Sequence, residues 1–454
     1  MKNYDAVIIG FGKAGKTLAA DMAARKMKVA LIEKSAQMYG GTCINVGCIP
    51  SKSLVTSAQE AQIIKAADWE QKQTFYQKAV AEKKRVTAML RQKNYDKLHA
   101  AGVDIYNGTA AFADDTTVTV TAGDGSEVLT APQIFINTGA SSFFPPIKGI
   151  ELPRIYDSAS LMDLDKLPRT LVIIGGGYIG LEFASIYAGF GSKVVILQDT
   201  QEFLPREDED IAAEILKVMQ NKGIEFHFGV KVEEFLHQKE QVVVRYIENN
   251  EEKTLPTEAV LIAAGRRPNI QGLDLEKAHI NTTPHGAVAV NERLQTSNPR
   301  VWAMGDVNGG PQFTYVSLDD YRIVRSQLFG DGSYTLARRR NVPYSVFITP
   351  AYSRVGLNEK EARAQGLNIK IAKLPVSAFP KAHVYKDTRG LLKVIADADS
   401  GQLLGAMLFC AESFEMINLL KLAMDTGTDC QTLRDAIYTH PTMSEAFNDI
   451  FALL

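Results

Sequence analysis

The feature that most restricts how this chain can fold is a strand–turn–helix–strand unit that occurs twice. The first copy reads Ala6-Val7-Ile8-Ile9, then Gly10-Phe11-Gly12-Lys13-Ala14-Gly15, then a helical stretch and Val29-Ala30-Leu31-Ile32-Glu33. The second reads Leu171-Val172-Ile173-Ile174, then Gly175-Gly176-Gly177-Tyr178-Ile179-Gly180, a helical stretch and Val194-Val195-Ile196-Leu197-Gln198. Both carry Gly-x-Gly-x-x-Gly, and Glu33 and Gln198 stand at the same offset from the last glycine. The first glycine permits a tight turn. The second lets backbone amides approach a pyrophosphate at a helix N-terminus, and the third lets the helix pack closely on the strand. One such turn is weak evidence, but two in full context predict a chain that binds two dinucleotides.

The two copies differ where the ribose would lie. Glu33, with Lys34 beside it, ends its strand with a carboxylate suited to the adenosine ribose of FAD or NAD. Gln198 cannot repel a 2′-phosphate as an acid would, which opens the second site to NADPH, with Arg206 as a phosphate partner. Asp199 argues for NADH instead, so NADH and NADPH both stand at this point. Lys13 and Lys16 are equally readable as pyrophosphate contacts and as solvent-exposed side chains.

The rest of the chain is ordinary in composition and informative in order. Its 454 residues suggest about three domains. Fifty Lys and Arg against 52 Asp and Glu leave a net charge of −2, which gives no electrostatic reason to expect nucleic acid or an anionic membrane surface. No apolar run is long enough to span a bilayer, and the N-terminus enters a short strand directly, so a cytoplasmic protein is expected. Residues from about 57 to 100 read as a long helix or a helical pair. Residues 102–138 and 225–264 read as strands, the first set with a hairpin turn at Ala122-Gly123-Asp124-Gly125. From about Asn341, strands at Val342 to Thr349, Leu391 to Ala396 and Leu403 to Cys410 mix with helices at Phe414 to Met424 and Cys430 to Ala436.

Four cysteines cannot staple a chain of this size. Cys410 and Cys430 sit in apolar surroundings and read as packing residues, whereas Cys43 and Cys48 are close together. Residues five apart in a regular helix differ by about 7.5 Å in rise, and a disulfide needs its Cα atoms about 4.4–6.8 Å apart. The pair can therefore close only on a distorted turn, to which Gly47 and Pro50 are suited. No nearby Cys or His completes a zinc site. Beside two dinucleotide sites, a redox disulfide fits better than two unrelated thiols.

The segment Gly40-Gly41-Thr42-Cys43-Ile44-Asn45-Val46-Gly47-Cys48-Ile49-Pro50-Ser51-Lys52 resembles the redox signature of the FAD-dependent pyridine nucleotide–disulfide oxidoreductases. Four further segments resemble that family in its own order: Ile136 to Ala140, Ala263 to Asn269, Thr296 to Asp306, and His440-Pro441-Thr442-Met443-Ser444-Glu445. The resemblance implies an α/β fold with two Rossmann-like dinucleotide-binding domains, for FAD and NAD(P), and a C-terminal α+β dimerisation domain. The boundaries expected are 1–148 and 269–340 for FAD, 149–268 for NAD(P)H and 341–454 for dimerisation. Cys48 would face the flavin as the charge-transfer thiolate and Cys43 would attack the substrate. Lys52 would lie near the flavin and pair with Glu182. His440 and Glu445 would form the base pair supplied by the partner subunit of a homodimer. FAD would contact Gly10, Gly12, Gly15, Glu33, Lys34, Gly41, Thr42, Lys52, Ala110, Thr138, Gly139, Gly305 and Asp306. The nicotinamide nucleotide would contact Gly175, Gly177, Tyr178, Ile179, Gly180, Gln198, Gly265 and Arg266.

The resemblance leaves the electron acceptor open. Dihydrolipoamide dehydrogenases usually carry an Ala-His-Lys-Ala type of sequence where this chain has Phe313 to Arg322. Mercuric reductases carry vicinal cysteines near the C-terminus, and this chain ends Phe451-Ala452-Leu453-Leu454. Phe11 to Thr17, Met38-Tyr39 and Phe313 to Arg322 are similar to the RclA-type reactive-chlorine-resistance flavoproteins and the hypothiocyanous acid reductases. That similarity implies a small-molecule oxidant, hypothiocyanous acid first. Copper(II), mercury(II) or a small disulfide are the alternatives, and a non-enzymatic redox sensor is the reading from another class.

Overall fold

The computed structural model describes residues 1–63 and 68–454. The chain forms two compact units, residues 1–54, 78–143 and 265–339 in one and 55–77, 144–264 and 340–454 in the other.

The first unit is built on a parallel sheet in the order Val301–Ala303, Ile134–Ile136, Ala6–Ile9, Val29–Glu33 and Asp104–Asn107. Aliphatic runs such as Ala6–Ile9 are buried along their whole length, as a parallel strand covered on both faces must be. The Lys13–Ala24 helix joins the two strands of the first glycine unit. A small sheet of Lys2–Asn3, Gly125–Thr130, Thr117–Ala122 and Thr109–Phe112 stands beside it, with the expected hairpin turn at residues 122–125. The Trp69–Ala100 helix falls within the expected helical stretch. Its companion, Cys48–Ile63, begins earlier than expected, because Leu54, Val55 and Ala58 supply a buried helical face and Pro50 lies in the first turn, where it is tolerated. Residues 64–67 of the expected stretch lie outside the described residues.

The second unit repeats the architecture. Its parallel sheet runs Ile155–Tyr156, Ala259–Ile262, Thr170–Ile174, Lys193–Leu197 and Glu225–His227. The Tyr178–Phe190 helix is buried nearly all round and stops at Gly191, which takes a left-handed conformation. A meander of Lys231–Gln238, Gln241–Glu248 and Glu251–Thr257 fills the expected strand-rich insert. The C-terminal part is an antiparallel sheet in the order Tyr344–Val346, Tyr352–Gly356, Leu403–Phe409, Leu391–Asp397 and Ile369–Pro375. The first of these is shorter than the expected Val342 to Thr349, since Pro343 has no amide to give a ladder and Pro350 follows its other end. Cys410 and Cys430 are buried in the core beside this sheet, as packing residues should be. Lys393, 1% exposed, ties the sheet to the head of the Glu209–Asn221 helix through Asp208 at 2.9 Å and Asp210 at 3.1 Å.

Candidate functional site

The first glycine turn is closed by side chains from far along the chain. Gly10 has φ +104°, and a Cβ there would strike the carbonyl of Asn137. The Asn137 side chain accepts the Gly15 amide at 2.8 Å and donates to the Met304 carbonyl at 2.6 Å. A Cβ on Gly12 would collide with Asn137 Oδ1, and one on Gly305 would meet both Asn137 and Ser317. Ser317 Oγ accepts the Ala14 amide at 3.2 Å. Asp320 accepts the Gly305 amide at 2.6 Å and is held by Arg339, which also pairs with Asp319 at 2.7 Å. Sequence reasoning passed over Asn137, Ser317, Asp320 and Arg339 as site residues.

At the mouth of this turn Glu33 accepts the Phe11 amide at 3.0 Å and the Ser35 amide at 3.3 Å, with Lys34 between. Burial pushes its carboxyl up from the ordinary value, and the same cause raises Asp306. The Gly108 amide donates to the Glu33 carbonyl at 3.0 Å, which brings Ala110 close to the end of the Val29–Glu33 strand. Thr138 and Asn269 exchange hydrogen bonds, Thr138 Oγ1 to the Asn269 carbonyl at 2.7 Å and Asn269 Nδ2 to the Thr138 carbonyl at 2.9 Å. Asn269 also donates its amide to the Gly139 carbonyl, while Arg266 donates to the Ala140 carbonyl. The cradle fits a dinucleotide. Its glycines leave room for a pyrophosphate against backbone amides, and Glu33 offers an acceptor to a ribose.

The cysteine loop lies against that turn. A Cβ on Gly41, φ +80°, would press on Gly12 Cα at 2.8 Å. Lys16 does not point into solvent. It donates to the Gly40 carbonyl at 3.1 Å and to Asn94 Oδ1 at 2.7 Å. Burial, then the neighbouring Lys13 charge, lowers its ammonium to about 8, against an opposing pull from Cys43. Asn45 cross-braces the loop by donating to the Tyr39 and Gly41 carbonyls, both at 2.9 Å.

Cys43 lies in the short Thr42–Asn45 helix and Cys48 starts the Cys48–Ile63 helix. The break between them is the distortion the spacing demands. Val46 leaves helical geometry, and a Cβ on Gly47 would crowd the Thr42 carbonyl at 3.0 Å and Cys43 Cα at 3.4 Å. Pro50 takes no part in the break and sits inside the following turn. Neither residue is joined in a disulfide, and both are thiols. A hydrogen bond shared with Cys48, and then burial, holds the Cys43 thiol well above its ordinary value, while Thr314 and Lys16 pull it down. Thr314 Oγ1 lies 3.6 Å from Cys48 Sγ at the head of the Thr314–Phe329 helix, where Phe313 and Tyr315 stack at 5.1 Å. Lys52 stands one turn after Cys48 on the same helix.

In the second unit, Gly175 has φ +108° and abuts the Ala263 carbonyl, and Gly180 packs on the Gly175 carbonyl. A Cβ on Gly177 would meet nothing within 4 Å. Tyr178 and Ile179 open the helix, and Glu182, one turn on, accepts the Phe347 amide at 2.8 Å. The Tyr178 hydroxyl donates to Glu207, as do the hydroxyls of Tyr344 and Tyr352, and the Arg354 guanidinium completes the carboxylate's shell at 3.4 Å. Burial, then the Glu207 charge, raises all three phenols. Residues 440–445 form a turn outside any helix. There His440 Nδ1 meets Glu445 Oε1 at 2.9 Å and the Thr442 amide donates to Glu445 Oε2 at 2.9 Å. That amide, and then His440, holds the Glu445 carboxyl below its ordinary value. The turn, not a regular helix, brings His440 and Glu445 together across five residues.

Among the described residues no group of three or more His, Cys, Asp or Glu is placed to hold a metal ion, and no helix is long and apolar enough to cross a membrane. The pyridine nucleotide–disulphide oxidoreductase family matches residues 4–320, and its dimerisation domain matches residues 342–450. The chain is 48% identical to the probable pyridine nucleotide–disulfide oxidoreductase RclA of Escherichia coli K12, over the full length of both. It superposes on the structure of the Cu(II) complex of HOCl-induced flavoprotein disulfide reductase RclA from E. coli with a TM-score of 0.94, covering all of each chain. It is 32% identical to mercuric reductase of Staphylococcus aureus, over 98% of this chain and 81% of that one. A family match across most of the chain, two glycine turns and a thiol pair at a broken helix lead to one conclusion. The chain belongs to the pyridine nucleotide–disulfide oxidoreductases, flavoprotein disulfide reductases that act on sulfur groups.

Proposed function

We propose that this enzyme passes electrons from a nicotinamide nucleotide through FAD and the Cys43–Cys48 pair to a small oxidant, hypothiocyanous acid first. The observation that carries the reading is the thiol pair at the Val46–Gly47 break, capped by Thr314 and the stacked Phe313 and Tyr315. That cap offers a hydroxyl and aromatic faces, which suit a compact electrophile better than a long disulfide substrate. The likeness to a relative described as HOCl-induced supports an oxidant of the same chemical kind.

Bound FAD supplies the hydride relay between the nicotinamide and the cysteines. The chain's own residues do the rest. As thiolate, Cys43 attacks the electrophilic sulfur of hypothiocyanous acid, forming a sulfur–sulfur bond and expelling hydroxide. Cys48 then attacks Cys43 Sγ, thiocyanate leaves, and the disulfide closes. Dithiol plus hypothiocyanous acid thus gives disulfide, thiocyanate, water and a proton. The Lys16 ammonium favours the Cys43 thiolate through its charge. His440 of the partner subunit would take the thiol proton and pass it to the departing hydroxide, with Glu445 fixing its tautomer. In this reading the enzyme would be a homodimer in the cytoplasm, and Lys52 and Glu182 would pair near the flavin. Residues 1–148 and 269–340 would hold FAD, 149–268 the nicotinamide nucleotide, and 341–454 would form the dimer.

Cys43→Ser should abolish turnover with hypothiocyanous acid while the protein stays yellow. Anaerobic stopped-flow of the reduced enzyme against hypothiocyanous acid, copper(II), lipoamide and glutathione disulfide tests the acceptor. Rapid reoxidation by a disulfide, with hypothiocyanous acid slow, would sink the proposal. Copper(II) is the second reading, because the E. coli relative has been solved as a Cu(II) complex. It requires loss of activity with a chelator.

A further inference from the structure

We propose that Lys16 and Asn94 are positioning residues that ready Cys43 for attack from behind the redox loop. Neutral oxygens hold the Lys16 ammonium in place without cancelling its charge, and that charge is left to act on the thiol. This rests on the reading above that Cys43 is the attacking thiol, and it names the device that keeps the charge available.

Just before Cys43 the loop carries three successive carbonyls, and side chains hold all of them. Asn45 Nδ2 donates to those of Tyr39 and Gly41, both at 2.9 Å, and Lys16 Nζ donates to that of Gly40 between them at 3.1 Å. Gly40 and Gly41 have φ +97° and +80°, a left-handed backbone that suits glycine. The Trp69–Ala100 helix anchors both side chains. Asn94 Oδ1 accepts from Lys16 at 2.7 Å, and Arg91 Nε donates to Asn45 Oδ1 at 2.8 Å. Asn94 is oriented in its turn. Its Nδ2 donates to the Leu90 carbonyl at 2.7 Å, so the amide oxygen is the atom that faces the lysine. Lys16 itself lies in the first turn of the Lys13–Ala24 helix, which fixes its backbone.

The choice of partners matters. The ammonium rests on a backbone carbonyl and a primary amide, and among the described residues no carboxylate pairs with it. A carboxylate would cancel the charge. Two neutral oxygens replace the lost water and leave the charge whole. The ionisable groups that act on Lys16 are Lys13 and Lys97, both cations, and Cys43. Of these, Cys43 is the one that becomes an anion. The influence is mutual. Lys16 pulls the Cys43 thiol down, and Cys43 pulls the Lys16 ammonium up. Lys16 is largely buried, and a charge acts more strongly across a protein interior than across water. The loop thus delivers Cys43 to a cation that has no other anion to spend its charge on.

The test uses the full-length FAD enzyme, reduced anaerobically with dithionite. Alkylation by iodoacetamide is followed at each cysteine by mass spectrometry across the neutral range of pH. Lys16→Met, which removes the cation, should move the Cys43 reaction to higher pH and slow it about threefold or more at neutral pH. Asn94→Asp keeps the hydrogen bond and sets a carboxylate on the ammonium, and it should slow Cys43 by a similar factor. A merely structural brace predicts otherwise, because an aspartate holds the lysine at least as firmly as an asparagine does. Flavin absorbance reports whether each variant has folded, and if Lys16→Met loses its flavin, Asn94→Asp decides alone. An unchanged Cys43 profile in either flavin-loaded variant overturns the inference and leaves the electron path standing. Alkylation of Cys48 in place of Cys43 in the unaltered enzyme overturns the reading of Cys43 as the attacking thiol, and this inference with it.

Discussion

The two glycine turns have the same spacing and are finished differently. In the first, Glu33 has both carboxylate oxygens occupied by backbone amides, and Asn137 reaches across to brace Gly15 and Met304. In the second, Ala263 stands where Asn137 stands in the first, each carbonyl pressing on the opening glycine of its turn. Ala263 has no side chain with which to brace anything, and Gln198 keeps one atom free. The middle glycines show the same contrast. Gly12 is crowded by Asn137, whereas Gly177 faces open space. A turn locked by polar groups from distant segments suits a resident cofactor. A turn whose glycines carry no such side-chain brace suits a nucleotide that arrives and leaves.

The largest expected effect tests that contrast directly. Gly12→Ala puts a methyl on Asn137 Oδ1, and at about 3 kcal/mol of lost stability the protein should purify with little flavin. Gly177→Ala should keep its flavin and its melting temperature while losing reduction by the nicotinamide. Absorbance ratio, thermal melting and anaerobic reduction separate the two, and equal flavin loss would erase the contrast. Next comes Asn137→Ala, which strands the Gly15 amide and the Met304 carbonyl. It should cost about 2 kcal/mol in chemical denaturation and speed flavin release.

The smallest effect concerns Lys16, which follows the last glycine of the first turn where Leu181 follows that of the second. Its folded pKa of about 8 lies below the 10.5 of the free side chain. The unfolded chain therefore binds more protons between those values, and this group's share of stability rises as pH climbs through 8. The gain should be about 1 kcal/mol between pH 8 and 9, absent from Lys16→Leu. Denaturant midpoints at the two pH values check it, and parallel curves for both proteins would contradict it.

The sequence made the parts of this contrast visible unevenly. Glycine spacing exposed both turns because local backbone geometry demands those residues at those positions. The broken helix at the cysteines was legible for the same reason, since it follows from rise per residue. The bracing side chains were not legible. Asn137 lies 122 residues from Gly15 and 167 from Met304, and Thr314 lies 266 from Cys48, so no local pattern links them. Lys16 looked equally able to meet a phosphate or solvent, because only the folded loop brings Gly40 and Asn94 to its ammonium.

The carboxylate of Glu207 has a mechanical consequence. It gathers one hydroxyl from the head of the second nucleotide helix, two from neighbouring strands of the C-terminal sheet, and a guanidinium from the same sheet. Four donors on two oxygens leave it no slack. Tyr178 cannot be displaced without breaking a charge-assisted bond or dragging the sheet along. The nucleotide turn and the C-terminal sheet are in this sense a single lever, with an anion as its pivot.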